Sequence, residues 1–539
     1  MPTARRERFG EYARKGFELG LRSVASAPEQ RAARRLALTD SRACDTPAHD
    51  GPNVLFLTPR DWAAHVQYEA MMGHALRRRG ANVRFLTCGG GLEICDRANT
   101  HEAPPMPCRS CSRYVEDSLT AHGHRVERLR TGWETTADDD WPELDLIERS
   151  ELESVVVDGI RLGALVAIPV RWFLCAADVD DDPLAAVITR AFLRSARRIM
   201  RAAAASLDAE RPDVVVLLNG LFLFESIVWE LCREREIDVV TYERAFVHET
   251  LVFGHGAPAG YYNFSDKYMI EQRPLDRVET AQLDGYLEQR SIGGGADQFW
   301  QFAERTWTSD GGRLVALFTN LTWDTAVLDR DLAFPNIHAW LDAAVEHFCD
   351  RPADRLVIRV HPSELHLPGK RTRDSLEAYL ARRFPTLPSN VSVIGPADSS
   401  SSYPLMQAAD VGLVYTSTTG LELGLRGTPV IVAGETHYRD KGFSIDVTNP
   451  EEFHAALDKA LADPDAAHTD VTAAREYAHF FFFRAPIATP GVREPLPGLA
   501  RLDISDLREL DPGVNRAVDR ICDEILGCRA PVAATEEAL

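Results

Sequence analysis

A run of hydroxyls, Thr416-Ser417-Thr418-Thr419, followed by Gly420 and Glu422, comes directly after the apolar stretch Val411–Tyr415. Hydroxyls and free backbone N–H groups at the start of a helix bind anions such as phosphate, and a carboxylate one turn further in can accept from ribose hydroxyls. The same spacing, Thr419-x-x-Glu422, is also that of a capping box, which needs no ligand. Two other apolar stretches end in polar groups. Leu314–Phe318 runs into Thr319-Asn320 and then Trp323-Asp324, and Arg355–Val360 runs into His361-Pro362-Ser363-Glu364. Three such ends on one rim would make a phosphate-binding surface that no single motif makes alone.

A second group of residues suggests metal. Cys88-x6-Cys95-x12-Cys108-x2-Cys111 places four thiols in a short, Gly- and Pro-rich segment. In a reducing compartment such clustering points to structural zinc, with an iron–sulfur cluster as the lesser choice and unligated thiols as the alternative.

These residues need elements to position them. Val54–Thr58 reads as a buried strand, Tyr68–Arg79 as a helix ended by Gly80, and Val83–Thr87 as the next strand. A helix over 186–207 leads into Val214–Leu218, a short continuous apolar run of the kind found in parallel sheets. Asn219-Gly220, a helix over 225–235 and a strand over Asp238–Tyr242 follow. The second half repeats the alternation more cleanly. Strands at 314–319, 355–360, 391–394, 411–415 and 429–432 are separated by helices at 337–348, 374–384, 403–409 and 419–426, with Gly427 as a left-handed cap. The fold class expected is α/β, with two Rossmann-like, doubly wound parallel sheets and helical N- and C-terminal extensions. The expected divisions are a basic extension over 1–49, an acceptor domain over 50–295 with the Cys-rich insertion at 88–111, a donor domain over 296–450, and a helical region over 451–539 packing back on both.

Taken in order, Thr319-Asn320-x-x-Trp323-Asp324, His361-Pro362, Tyr403-x-x-Met406-x-x-Ala409-Asp410, and Thr416-Ser417-Thr418 with Glu422 and Gly427-x-Pro429-Val430 resemble the donor half of capsular-polysaccharide-synthesis glycosyltransferases. Those enzymes have the GT-B architecture. Asp158-Gly159-Ile160-x-Leu162-Gly163, Pro212-Asp213 with Asn219-Gly220, and Glu243-Arg244 extend the resemblance into the first half, so that it spans roughly 50–450 as spaced motifs. The resemblance implies a nucleotide-sugar donor bound by the second domain, a glycan or glycolipid acceptor bound by the first, and transfer in the cleft without a catalytic metal. His361 and Ser417 to Thr419 would contact phosphate, Glu422 the ribose, and Arg439 and Lys441 would stabilise the leaving nucleotide. An inverting transfer needs a general base, for which Glu243, His65 and Asp61 at strand ends of the first domain are the candidates. A nucleotide-sugar 2-epimerase, a teichoic-acid-type glycerophosphotransferase and a non-catalytic nucleotide-sugar-binding scaffold share parts of this pattern.

Charge narrows the partners. A net charge of −21 over 539 residues, with no long basic run, argues against nucleic acid. The exception is residues 1–35, with nine cations against four anions and with Phe9, Tyr12, Phe17 and Leu21 near helical spacing. This is a candidate amphipathic contact with the inner face of a membrane, or else a solvated helix. No run of about 18 uncharged apolar residues and no signal-peptide pattern occurs, from which a cytoplasmic location is expected.

Overall fold

The computed structural model describes residues 28–38, 51–101, 106–130, 141–179, 182–291, 312–367, 369–465, 467, 469–496, 498–527 and 533–534. Phe9, Tyr12, Phe17 and Leu21, which carry the membrane-contact expectation, lie outside them. Among the described residues no helix is long and apolar enough to cross a membrane.

The first sheet contains β1 (Asn53–Leu57), β2 (Asn82–Thr87), β3 (Val126–Arg128), β4 (Val214–Leu218), β5 (Asp238–Arg244) and β6 (Thr250–His255), in the order β3-β2-β1-β4-β5-β6. β1 to β5 are mutually parallel, and β6 returns antiparallel to β5. Both faces are covered, which is why β4 can be Val-Val-Val-Leu-Leu and buried throughout. Alternate residues go to opposite faces. Val54, Phe56, Val83, Phe85 and Val216 face helix α2 (Ala63–Arg77), while Leu55, Leu57, Leu86, Val215 and Leu217 face helices 162–174, 185–210 and 223–234.

After the two-residue strand β7 (Tyr262–Asn263), the second sheet is built from β8 (Leu314–Phe318), β9 (Arg355–Arg359), β10 (Val391–Ile394), β11 (Val411–Val414), β12 (Val430–Val432) and β13 (Ile445–Asp446). Its order, β10-β9-β8-β11-β12-β13, repeats the first sheet's winding, and every pair is parallel. The protein therefore has two doubly wound parallel sheets, as the sequence led us to expect. Gly427, at φ +77, takes the left-handed position that closes the helical turn before β12.

The chain crosses between the two bodies twice, and the crossings run side by side. Phe264 and the helix Ser265–Glu271 go outward, and helix Arg277–Ser291 already lies against Val471–His479 of the second body. The return passes through a π-helical turn at Phe480–Arg484 into β14 (Ile487–Ala488), which pairs antiparallel with β6. Arg484 joins the two crossings by donating to Glu271 O at 3.0 Å and to the Glu279 carboxylate at 3.1 Å. Phe264 meets Phe481 edge-on at 5.4 Å, and Tyr268 meets Phe480 at 5.3 Å.

The C-terminal region divides its packing. Helix Pro450–Ala462 places Phe453, Leu457 and Ala460 against the second sheet. Helix Arg516–Ile525 places Val518, Ile521 and Ile525 against the α2 face of the first. Between them the strands β14, 492–496 and 499–502 interrupt the helices. They are short edge and hairpin strands, and their apolar residues are too few to show a period in the sequence.

Candidate active site in the cleft between the two sheets

In each sheet the winding reverses once, between β1 and β4 and between β8 and β11. At these points the loops leave in opposite directions and open a crevice at the carboxyl ends of the strands. In the first body the crevice is lined by Thr58, Arg60, Trp62, His65, Glu69 and Glu225, among others. Arg60 is buried, donates to Asp96 Oδ1 at 3.0 Å and to Glu225, and lies 4.5 Å over the Trp62 ring. Glu69 accepts from Thr58 and, at 2.7 Å, from the Tyr242 hydroxyl. Burial pushes the Glu69 carboxyl up to about 8 and that of Glu225 up to about 7, the latter against the pull of Arg60. This network was missed in the sequence, where Glu69 and Glu225 look like ordinary helix residues.

The three candidate bases occupy different environments. Glu243, near the end of β5, accepts from Asn219 Nδ2 at 3.1 Å and from the Arg244 N–H at 2.8 Å. Burial raises its carboxyl above the usual range, the backbone and Asn219 hydrogen bonds oppose this, and the negative charge of Asp324 from the second body adds to the rise. Asp324 is itself raised by burial. His65 is packed among Trp62, Tyr68 and Tyr242, and its Nδ1 is buried without a partner. Burial, reinforced by Arg244 and Arg60, lowers it to about 3, so it is neutral and a weak base. Asp61 is held by Arg97 through Nε and, at 3.2 Å, through Nη2.

In the second body the polar strand ends do come together. Asn320 Oδ1 accepts from the Thr416 N–H at 3.4 Å across the point where the winding reverses. The Thr319 hydroxyl accepts from the His361 N–H at 3.0 Å, linking the ends of β8 and β9. His361 Nδ1 accepts from Ser363 N at 3.1 Å, which leaves the ring proton on Nε2, and burial lowers the ring to about 4. His361 is therefore a neutral N–H donor. Thr416 and Ser417 are buried, and Thr416 Oγ1 has no partner. Ser417 Oγ accepts from Thr419 N at 3.2 Å and donates to Thr419 Oγ1 at 3.0 Å. The short helix Thr419–Gly424 has Thr418 as its N-cap with no side-chain cap bond, so the capping box does not form.

Glu422 has a different partner. It accepts from Arg290 Nη2 at 2.8 Å, and Tyr403 lies near enough that burial and this carboxylate together raise its hydroxyl. Arg290 belongs to helix Arg277–Ser291, and nothing in its surface-like sequence context signals the pairing. Arg439 is buried and donates to the carbonyls of Val432, Gly434 and Val447 at 3.1 to 3.2 Å. Lys441 donates to Ser265 Oγ at 2.7 Å, and burial lowers its ammonium. Two further cations of the second body lie against rings of the first. Arg330 is buried, 4.4 Å over the Tyr261 ring, and its backbone carbonyl borders Gly434 beside Thr416. Lys370 Nζ lies 3.4 Å over Trp172 of the first body and acts on Asp324.

The motif Asp158-Gly159 is a turn. Asp158 at φ 51 and Gly159 at φ 88 form the two-residue hairpin loop that lets Val157 and Ile160 pair. Gly163 then allows backbone contact, since a Cβ there would lie 2.3 Å from Leu152 O.

Of the four cysteines, Cys88, Cys95 and Cys111 are buried and Cys108 is partly so. Burial pushes the Cys88 thiol up to about 12 and raises Cys95 and Cys111 as well, which opposes thiolate formation. Among the described residues, the group of three or more ligating side chains whose donor atoms lie within 4.8 Å of one another is His74, His122 and His124, not the cysteines.

No known protein family matches the chain, and no curated protein does. Solved structures similar to it include the beta Kdo 2,4 transferase KpsC of Thermosulfurimonas dismutans, at 15% identity over 56% of this chain and 88% of that one, with a TM-score of 0.35. Anabaena Alr3699/HepE, in complex with UDP-glucose, is similar at 11% identity over 89% and 100% of the two chains, with a TM-score of 0.30. The UDP-GlcNAc 2-epimerase of Neisseria meningitidis, bound to UDP-GlcNAc, is similar at 10% identity over 80% and 98%, with a TM-score of 0.25.

Proposed function

We propose that this chain is a nucleotide-sugar-dependent glycosyltransferase that extends a glycan or glycolipid acceptor. The observation that carries the reading is the placement of Glu243, raised by burial and held by Asn219, where it feels Asp324 of the opposite body. A partly buried carboxylate whose proton affinity is raised is suited to take a proton from an acceptor hydroxyl. In the transfer the acceptor oxygen bonds to the anomeric carbon, its proton passes to Glu243, and the bond from the anomeric carbon to the phosphate oxygen breaks. The nucleoside diphosphate then leaves with the bonding electrons. His65 at about 3 and Asp61 paired with Arg97 are the less suitable bases.

Donor binding is assigned to Asn320, His361 and Thr416 to Thr419 on the second rim. The buried, unpartnered Thr416 hydroxyl and the neutral His361 donor support this assignment. Arg330 is assigned to stabilise the leaving nucleotide in preference to Arg439, because Arg439 is committed to three carbonyls and Arg330 lies over Tyr261 of the first body.

The test is incubation of purified protein with labelled nucleotide sugars, with and without glycan acceptor. Transfer that depends on acceptor is expected. Epimerised sugar without acceptor, glycerol phosphate transfer in its place, or binding without turnover across a broad donor panel would each replace this reading.

A further inference from the structure

On the other edge of the first sheet lies a cluster that catalysis does not use. His74 is in the last turn of α2, His122 follows helix α3 (Cys108–Ala121), and His124 stands just before β3. All three are buried, at 3%, 1% and 6% exposure. One nitrogen from each ring lies within 4.8 Å of the other two. His74 Nε2 and His122 Nδ1 are hydrogen-bonded at 3.2 Å, a separation close to the edge of about 3.3 Å that a tetrahedral zinc with Zn–N of about 2.0 to 2.1 Å requires when both nitrogens are deprotonated.

The surrounding hydrogen bonds orient the rings. The Glu29 carboxylate accepts from Gln67 Nε2 at 2.5 Å and from the Tyr114 hydroxyl at 2.8 Å, which turns Gln67 Oε1 toward His122. His122 Nε2 donates to that oxygen at 2.8 Å, so its Nδ1, the atom next to His74, carries a lone pair. His124 Nε2 donates to Ala70 O at 2.8 Å, which likewise leaves a lone pair on Nδ1, and that atom is buried without a partner. Metal-bound imidazoles are held in this way, with the far nitrogen donating to a carbonyl or amide oxygen. Gly73 makes room for the cluster, since a Cβ there would lie 2.9 Å from Phe85 and 3.1 Å from His124.

We propose that His74, His122 and His124 bind a structural divalent transition-metal ion, zinc by preference, that joins α2 to the α3–β3 connection. Three imidazoles suit zinc as well as copper, nickel and iron, and a bound water would complete the tetrahedron that three side chains leave open. The ion's charge would be balanced in part by Glu29, two hydrogen bonds from the ring of His122 by way of Gln67. Glu29 lies on helix α1 (28–38), so the site would also fix α1, whose Ala33 and Leu36 are buried. The position at the amino-terminal edge of the strands separates it from the cleft, and its role is stability.

The experiment uses untagged full-length protein equilibrated with zinc and then with metal-free buffer, followed by elemental analysis and zinc X-ray absorption. About one retained equivalent with a shell of imidazole nitrogens is expected, together with a lower Tm after chelation and unchanged nucleotide binding. His122→Ala and His124→Gln should each retain less than about a tenth of an equivalent. No retained zinc, sulfur in the shell, or undiminished zinc in folded variants would overturn the proposal. If both variants fail to fold, the wild-type spectrum decides.

Discussion

Removing either partner of the Arg290–Glu422 pair should destabilise the second body, and by unequal amounts. The side chains are 15% and 8% exposed and meet at 2.8 Å. Breaking such a pair costs about 3 to 5 kcal/mol, because the remaining charge is left buried. Arg290, if left alone, keeps a hydrogen bond to the Tyr286 hydroxyl at 3.3 Å and the rings of Phe246, Tyr286 and Phe482 within 6.0 Å. Those contacts return about 1 kcal/mol or more, so Glu422→Ala is expected to cost about 2 to 3 kcal/mol. Glu422, if left alone, keeps only Tyr403 among these partners, and Arg290→Met is expected to cost about 3 to 5 kcal/mol. The double variant should fall well short of the sum, with a coupling of about 2 kcal/mol. Urea unfolding of the four proteins measures this, with nucleotide binding followed by calorimetry. Losses under about 0.5 kcal/mol, or strict additivity, would refute the reasoning. If instead Glu422 serves the ribose, Glu422→Ala would weaken nucleotide binding by about 1 to 3 kcal/mol while stability held.

Glu243→Gln is expected to lower kcat by about 100- to 10,000-fold with little change in donor affinity, and a variant with full turnover would remove Glu243 from the chemistry. In the wild type, kcat/KM should rise with pH through a carboxyl value above the ordinary range, because the base must be deprotonated; a profile flat down to ordinary glutamate values would contradict this. Glu69 is raised to about 8, so the folded state holds its proton longer than the unfolded one, and stability should fall as pH rises from about 4.5 to about 8. Comparison of Glu69→Gln with wild type by denaturation across that range checks the sign, and identical curves would refute it. Gly163→Ala should cost about 1 to 3 kcal/mol, since its Cβ would lie 2.3 Å from Leu152 O, and a variant as stable as wild type would show that the helix can shift.

Much of the architecture could be read from the sequence because buried parallel strands are short, continuous and apolar. Val214–Leu218 and Val391–Ile394 have the boundaries expected, and the other expected strands differ from expectation by a residue or two, whereas strands such as β3, β6, β13 and β14 were not expected. The gathering of Asn320, His361 and Thr416 on one rim was also legible, since winding order alone places strand ends together. What could not be read were pairings made across the fold. Arg290 reaches Glu422 over 132 positions, and His74 reaches His122 over 48. The four cysteines are clustered in sequence, yet among the described residues it is the dispersed histidines whose donor atoms are gathered. Local density is a weak guide to ligation when tertiary packing decides which side chains meet.

The side-by-side crossings at 264–271 and 480–484 also bear on how the cleft can move. Both covalent links leave the same margin of the molecule, and Arg484 ties them together. They therefore act as one leaf hinge and not as two separated pins. Elsewhere the bodies meet without a covalent link, through Asn99 to Gly369 O at 3.1 Å, His101 to Arg371 O at 2.9 Å, Arg373 N to Cys175 O at 3.0 Å, the Arg373–Asp182 ion pair, and Trp172 against Trp323 at 5.1 Å. Rotation about the hinge would part these contacts, so the residues around Trp172, Trp323 and Lys370 bear on how readily the two rims separate.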